Sequence, residues 1–312
     1  MATKTLVLLL SLLIAFSPLS SSQDCGISVY WGHNAFEGSL VQACLSGFYQ
    51  YVNIASLAAF GCGKTPVLDL AGHCDSPSGS CRVLITEIQT CQSLGIKVLL
   101  SLGGSAGNYG LCSSDDAKQV AAYLYDTFLS GTNTTGPLGP VALDGIDFDI
   151  EFPSSSLYWD DLARALKNYS TPEKKVYLAA APECSIPDPN LDAAIQTGLF
   201  DYVWVQFYNN PQCDYRGGIS SLVAAWNQWS ASLPEGNQLF LGLPASPAAA
   251  GSGYVSPIEV ETQILPVISH SENYGGVMLW NKFYDIDFSL IIKPAVCSFT
   301  LHRKDSLISM VK

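Results

Sequence analysis

Charge is scarce in this 312-residue chain: Asp, Glu, Lys and Arg together make up 13% of it. Basic residues are scarcer still, 15 against 27 acidic ones. That deficit excludes partners whose phosphates must be neutralised by basic patches, nucleic acids first among them. Only 4 histidines occur and no two cysteines form a C-x₂-C pair, so a zinc site has no basis in ligand spacing. No apolar run is long enough to span a bilayer; the run over residues 6–16 is too short. Low-complexity linkers and internal repeats are missing too, which argues for one domain. With 48% hydrophobic residues, disorder is excluded for most of the chain.

What is present begins with a processing signal. Lys4 precedes the short apolar run and Ser20-Ser21-Ser22 follows it, so residues 1–22 read as a secretory signal peptide cut before Gln23. The mature chain is expected to be soluble and exported, not membrane-bound. Losing Lys4 leaves 14 basic against 27 acidic residues, a formal charge of −13. A neutral polymer remains an allowed partner. Ten cysteines in an exported chain imply up to five disulfides. Spacing leaves their connectivity open, although Cys74 and Cys81 flank a turn-rich segment that could close a small loop. Asn133-Thr134-Thr135 and Asn168-Tyr169-Ser170 are glycosylation sequons, compatible with export.

Short β-rich apolar runs recur at residues 27–31, 51–56, 97–102, 143–151, 175–180, 202–208, 239–243 and 276–280. Their separation is too great for hairpins. Between several of them lie helical patterns: Val120, Leu124 and Phe128 within 115–129, and Tyr158, Leu162, Ala165, Leu166 and Tyr169 within 156–169. Eight strand–helix units point to an α/β fold of the (β/α)₈ TIM-barrel type over residues 23–292. A doubly wound open sheet is the alternative, but Tyr30-Trp31-Gly32-His33-Asn34 is no phosphate-binding turn. The glycines of Leu102-Gly103-Gly104-Ser105-Ala106-Gly107 are expected to let backbone pass close to a ligand. From Lys293 onward the apolar run breaks at Pro294 and turns charged, so residues 293–312 read as a C-terminal extension, frayed or a sorting signal.

The most informative segment is Asp144-Gly145-Ile146-Asp147-Phe148-Asp149-Ile150-Glu151. Strand side chains alternate between faces, so Asp147, Asp149 and Glu151 share one face and Ile146, Phe148 and Ile150 the other. In a barrel the acidic face looks inward. Three carboxyls there cannot all ionise, and Glu151, nearest the C-terminal mouth, is the expected protonated acid. A solvated acidic strand fits poorly with the large apolar residues between the acids. Carboxylate binding of Ca²⁺ or Mg²⁺ is the remaining competitor.

The Asp144–Glu151 segment matches the DGxDxDxE signature of glycoside hydrolase family 18, and the chain from about Gly26 to Tyr284 resembles its plant class III chitinases, of the chitinase/lysozyme type. Tyr30-Trp31-Gly32, Leu70-Ala71-Gly72-His73-Cys74, Tyr158-Trp159-Asp160-Asp161-Leu162-Ala163-Arg164 and Gly242-Leu243-Pro244-Ala245 carry the resemblance, with the segments 201–210 and 274–283. It implies retaining endochitinase activity on β-1,4-linked N-acetylglucosamine polymers, in which the substrate's own acetamido group is the nucleophile. Glu151 would protonate the leaving oxygen and later activate water. Asp149 would orient the acetamido N–H, Tyr208 would donate to its oxygen, and Asp147 would share a proton with Asp149. Tyr30, Gln206, Trp280, His33 and Asp144 are read as substrate-binding residues, with Trp280 as a sugar platform. Neither metal nor organic cofactor is implied. The partner is chitin or a related polysaccharide, acted on by a monomer, secreted or sent to the vacuole through its tail.

The resemblance also implies the disulfides Cys44–Cys91, Cys74–Cys81 and Cys184–Cys213. It does not assign Cys25, Cys62, Cys112 and Cys297; Cys62 and Cys112 follow adjacent strands and are the natural pair, which would leave Cys25 with Cys297. The chain departs from the family pattern at His33, Ala35-Phe36, Ser56, Ser105 and Glu183, all expected near the mouth. These changes leave the acids intact but keep a second reading open: a chitin-binding lectin, a glycosidase inhibitor or a storage protein on the same barrel.

Overall fold

The eight apolar runs become eight strands in a computed structural model that describes residues 25–298. They are β1 (Gly26–Trp31), β2 (Tyr51–Phe60), β3 (Lys97–Gly103), β4 (Gly145–Asp149), β5 (Tyr177–Ala180), β6 (Tyr202–Gln206), β7 (Gln238–Pro244) and β8 (Tyr274–Trp280). Each pairs in parallel with the next. β8 then returns to β1 through Gly26↔Gly276 to Val29↔Leu279. Closure leaves the barrel no open edge and rules out the doubly wound sheet. β2 overshoots the barrel, and its end pairs with two short strands, Val67–Leu68 and Asn108–Tyr109, that build up one rim of the mouth.

The period of two sorts the core into two shells. Ile27, Val29, Val52, Ile54, Val98, Leu100, Ile146 and Phe148 point outward and pack beneath the helices. Tyr30, Tyr51, Leu99, Ala179, Trp204, Phe240 and Met278 fill the interior. The barrel is thus a packed core, and open space is confined to its end.

The helical stripes take their expected places with one change. Val120, Leu124 and Phe128 are all buried, but the α-helix spans Ser114–Leu124 and widens into a π-turn at Tyr125–Leu129. Ser113 caps it by accepting the Asp116 N–H. The second helix is shorter than its periodic pattern, Trp159–Lys167, because Tyr158 before it adopts a left-handed conformation with φ 70°.

All ten cysteines pair: Cys25–Cys297, Cys44–Cys91, Cys62–Cys112, Cys74–Cys81 and Cys184–Cys213. The last helix corrects the boundary expected at residue 293. It runs Phe288–Val296 with Pro294 inside it. A proline there forfeits one backbone hydrogen bond, but Ile292, Ala295 and Val296 are buried against the barrel and Cys297 is tied to Cys25. The signal-peptide reading and residues 299–312 of the tail lie outside the described residues.

Candidate active site

β4 sets the acids. Asp147 is fully buried and accepts three neutral donors: Tyr30 Oη and Ser101 Oγ on Oδ2 at 2.9 and 2.8 Å, and Trp204 Nε1 on Oδ1 at 2.7 Å. Burial lifts its carboxyl to about 6, while the three donors pull it back. Asp149, also buried, accepts from Gln206 Nε2 at 3.1 Å. Burial first, then the charges of Glu151 and Asp147, hold it well above the usual carboxylate range. Glu151 rises to about 7 through burial and then the charge of Glu183; hydrogen bonds to Asp149 and Gln206 oppose this. No ion pair among the described residues reaches these three acids.

The oxygens of Asp147 are engaged by Tyr30, Ser101 and Trp204. Asp149 feels the charges of both Glu151 and Asp147. Asp149 and Glu151 therefore titrate together, and the titration belongs to the pair.

Glu151 lies just past the end of β4, where a strand no longer fixes it. Side chains from elsewhere in the chain do so. Tyr109 Oη accepts the N–H groups of Glu151 and Phe152 at 3.0 and 3.2 Å and donates to Gly104 O at 2.9 Å. Asn190 Nδ2 donates to Glu151 O at 2.9 Å and Ile150 O at 3.2 Å. The buried Asp188 carboxylate in turn accepts from the N–H groups of Glu183, Asn190 and Leu191. The glycine run after β3 serves this framework as well as the cleft. A Cβ on Gly103, at φ 95°, would stand 2.6 Å from Asp149 O, and Gly104 N–H donates to that same oxygen at 2.7 Å.

A cleft of about 140 Å³ opens beside Asp149, lined by His33, Ser56, Ala71, Gly104, Ser105 and Trp280 among others. Trp280, at the end of β8, packs edge-on to Tyr30 with centroids 5.3 Å apart and leans on His33 at 4.9 Å. Ser56 Oγ donates to Gly103 O at 3.1 Å, joining the rims of β2 and β3. Phe36, two residues beyond Asn34 on the loop after β1, is 87% exposed. Gln206 points inward, and its Nε2 bonds Ala181 O as well as Asp149. Tyr208 lies two residues past the end of β6. Burial and the Asp149 and Glu151 charges keep its phenol well above its usual range, so it stays a neutral donor. Gly253 permits that placement: a Cβ there would stand 2.5 Å from Tyr208 Cα.

Asp144 does not join the others. Its Oδ2 accepts from Val98 N at 2.8 Å and Gln92 Nε2 at 2.9 Å, tying β3 to the start of β4. At about 3.3 Å per residue it is roughly 20 Å from the mouth, so the structure places it as a strand tie outside the substrate cleft. Conversely, Ser101, Trp204, Tyr109, Asn190 and Asp188 were not singled out by sequence reasoning. The inward parity of Ser101 and Trp204 on their strands was available as a signal. Nothing local marked Tyr109 or Asn190.

This chain resembles known proteins over nearly its full described length. It is 53% identical to Acidic endochitinase SE2 of Beta vulgaris over 290 residues, 93% of this chain and 98% of the relative. The crystal structure of ICChI chitinase from Ipomoea carnea superposes with a TM-score of 0.84 at 49% identity, covering 87% of this chain and all of that one. A xylanase and alpha-amylase inhibitor protein, XAIP-II of Scadoxus multiflorus, superposes at 0.80 with 44% identity, over 86% of this chain and 97% of that one. The family model described as Glycosyl hydrolases family 18 matches residues 26–252. Closed barrel, inward acids and these matches agree: the chain belongs to glycosyl hydrolase family 18.

Proposed function

We propose that the protein is an acidic endochitinase that cleaves β-1,4-linked N-acetylglucosamine polymers with retention of configuration, using the substrate's acetamido oxygen as nucleophile. The observation that carries this is that Asp149 and Glu151 lie on one inward face at the barrel mouth, both raised by burial and Asp149 further by the Glu151 charge. They fit one acid and one orienting group working on the same sugar.

In this reading Glu151, raised to about 7, gives its proton to the glycosidic oxygen. The acetamido oxygen attacks the anomeric carbon, and Asp149 accepts the acetamido N–H and offsets the positive charge that develops. Tyr208 donates to the acetamido oxygen, and Gln206 holds Asp149 in place. Asp147, fixed by Tyr30, Ser101 and Trp204, is coupled to Asp149 and tunes it, so that Asp149 is ionised when the positive charge develops. Glu151, now the base, takes a proton from the incoming water. Trp280 offers an indole face to the sugar ring. Five disulfides support maturation in an oxidising, secretory compartment.

The deciding experiment is release of oligosaccharides from chitin by the wild type beside Glu151→Gln. Cleavage that the substitution abolishes, with chitin binding kept, supports the reading. A wild type that binds chitin oligomers but never cleaves them would make this a lectin, and one that does neither would direct attention to glycosidase inhibition.

A further inference from the structure

The strand register fixes the place of Glu183. β4 and β5 pair as Gly145↔Tyr177 to Phe148↔Ala180. Extending that register three residues puts Glu183 level with Glu151. On its other side an isolated parallel bridge pairs Glu183 with Gln206. Ala179 and Ala181 point into the barrel, so the period of two turns Glu183 inward as well. Glu151, Glu183 and Gln206 thus form one layer across three neighbouring strand ends. The Glu183 backbone is pinned there by its N–H to Asp188 at 2.9 Å and by the neighbouring Cys184–Cys213 disulfide. None of the ion pairs among the described residues involves Glu183.

We propose that Glu183 is a positioning residue for the proton: its uncompensated carboxylate, level with Glu151 and facing the same mouth, keeps Glu151 in its protonated, donating form. The proposal rests on the reading of Glu151 as the acid. A like charge disfavours ionisation of its neighbour and so raises that neighbour's pKa. The Glu183 charge comes directly after burial among the causes that lift Glu151. The other titratable groups around Glu151 are Asp149 and Asp147 on β4, Tyr208 beyond β6 and Tyr109 beside β3. The charge that acts on Glu183 is that of Asp188, itself faced by Asp192. All are acids or phenols, so no cation on these elements cancels the Glu183 charge. The consequence is an enzyme whose acid stays loaded to a higher pH than glutamine at this position would allow.

The test reads protonation and turnover separately. The Glu151 carboxyl is titrated by ¹³C NMR in the wild type and Glu183→Gln, its resonance assigned by loss in Glu151→Gln. The alkaline limb of kcat/KM is measured on a chitin oligomer. In Glu183→Gln both midpoints should fall by at least about 0.5 pH unit, because the like charge is gone. In Glu183→Asp, which keeps the charge, they should stay near wild type. Added salt should move the wild type towards the glutamine variant by screening; should Glu183→Gln fail to fold, this series and the aspartate variant decide. An unmoved NMR midpoint, or a wild-type midpoint insensitive to salt, overturns the proposal. A wild type that never cleaves chitin but shows the NMR shift overturns the functional reading and leaves the role of Glu183 standing.

Discussion

The hydroxyl of Tyr109 accepts the backbone N–H of Glu151 at 3.0 Å across 42 residues of sequence. One phenol thereby holds the turn that presents the acid, since it also accepts Phe152 N–H and donates to Gly104 O. Tyr109→Phe leaves two N–H donors and one carbonyl without that partner. Stability should fall by about 1–3 kcal/mol, read as the shift of a urea midpoint. Because the turn loosens while the platform stays, kcat should drop roughly tenfold with KM little changed. A loss confined to KM would show that Tyr109 does not position the acid.

Glu151→Gln should reduce kcat/KM on chitin oligomers by about 10²–10⁴-fold, the range for removing a general acid–base group. Oligomer affinity, measured by calorimetry, should persist. A variant that keeps a tenth of wild-type activity would assign the proton to another group.

The same substitution carries a signed stability prediction. Folding lifts the Glu151 carboxyl from the usual 4.5 to about 7, so between those values the folded chain holds a proton that the unfolded chain has released. Its contribution is therefore fully present below about pH 4.5 and lost as pH rises through 7. Wild type should lose a few kcal/mol relative to Glu151→Gln between pH 4.5 and 8. Paired urea titrations at the two pH values measure this, and a constant difference would mean that Glu151 is not raised by folding.

Trp280→Ala should weaken binding of a chitin trimer roughly tenfold through loss of its stacking face, with Trp280→Phe intermediate. Tyr30 and His33 lose a packing partner in the alanine variant, so its thermal midpoint should fall as well. Equal trimer affinity in all three proteins would remove Trp280 from the sugar site.

Replacing Cys25 and Cys297 by serine frees the chain ends of a cross-link spanning 272 residues. The expected cost is about 2–5 kcal/mol of stability. Cys25 adjoins the start of β1, at the end of the barrel away from the mouth, so kcat/KM at 25 °C should be unchanged. A loss of activity without a loss of stability would contradict this placement.

Most of the barrel was legible because each strand is a short apolar run with its own parity. Asp147, Asp149 and Glu151 fall on one face whatever the rest of the chain does, and Ile146 and Phe148 on the other. The same local logic failed at Asp144, which the motif groups with the acids. Motif membership says nothing about which end of a strand a side chain occupies, and Asp144 ties the far end to Val98 and Gln92. It failed again at Pro294, where burial of Ile292 and Val296 outweighed a local helix breaker.

By itself the sequence determined the eight strands, the shared face of the acids and the family likeness, because periodicity and motif are properties of contiguous residues. Tertiary structure alone decided who touches whom: Trp204 on Asp147 from 57 residues away, Asn190 on Glu151 from 39, and Gln206 on Asp149 from 57. Those contacts depend on the register of neighbouring strands and on closure between β1 and β8. Both are set by packing the whole barrel at once, and no window of the chain contains them.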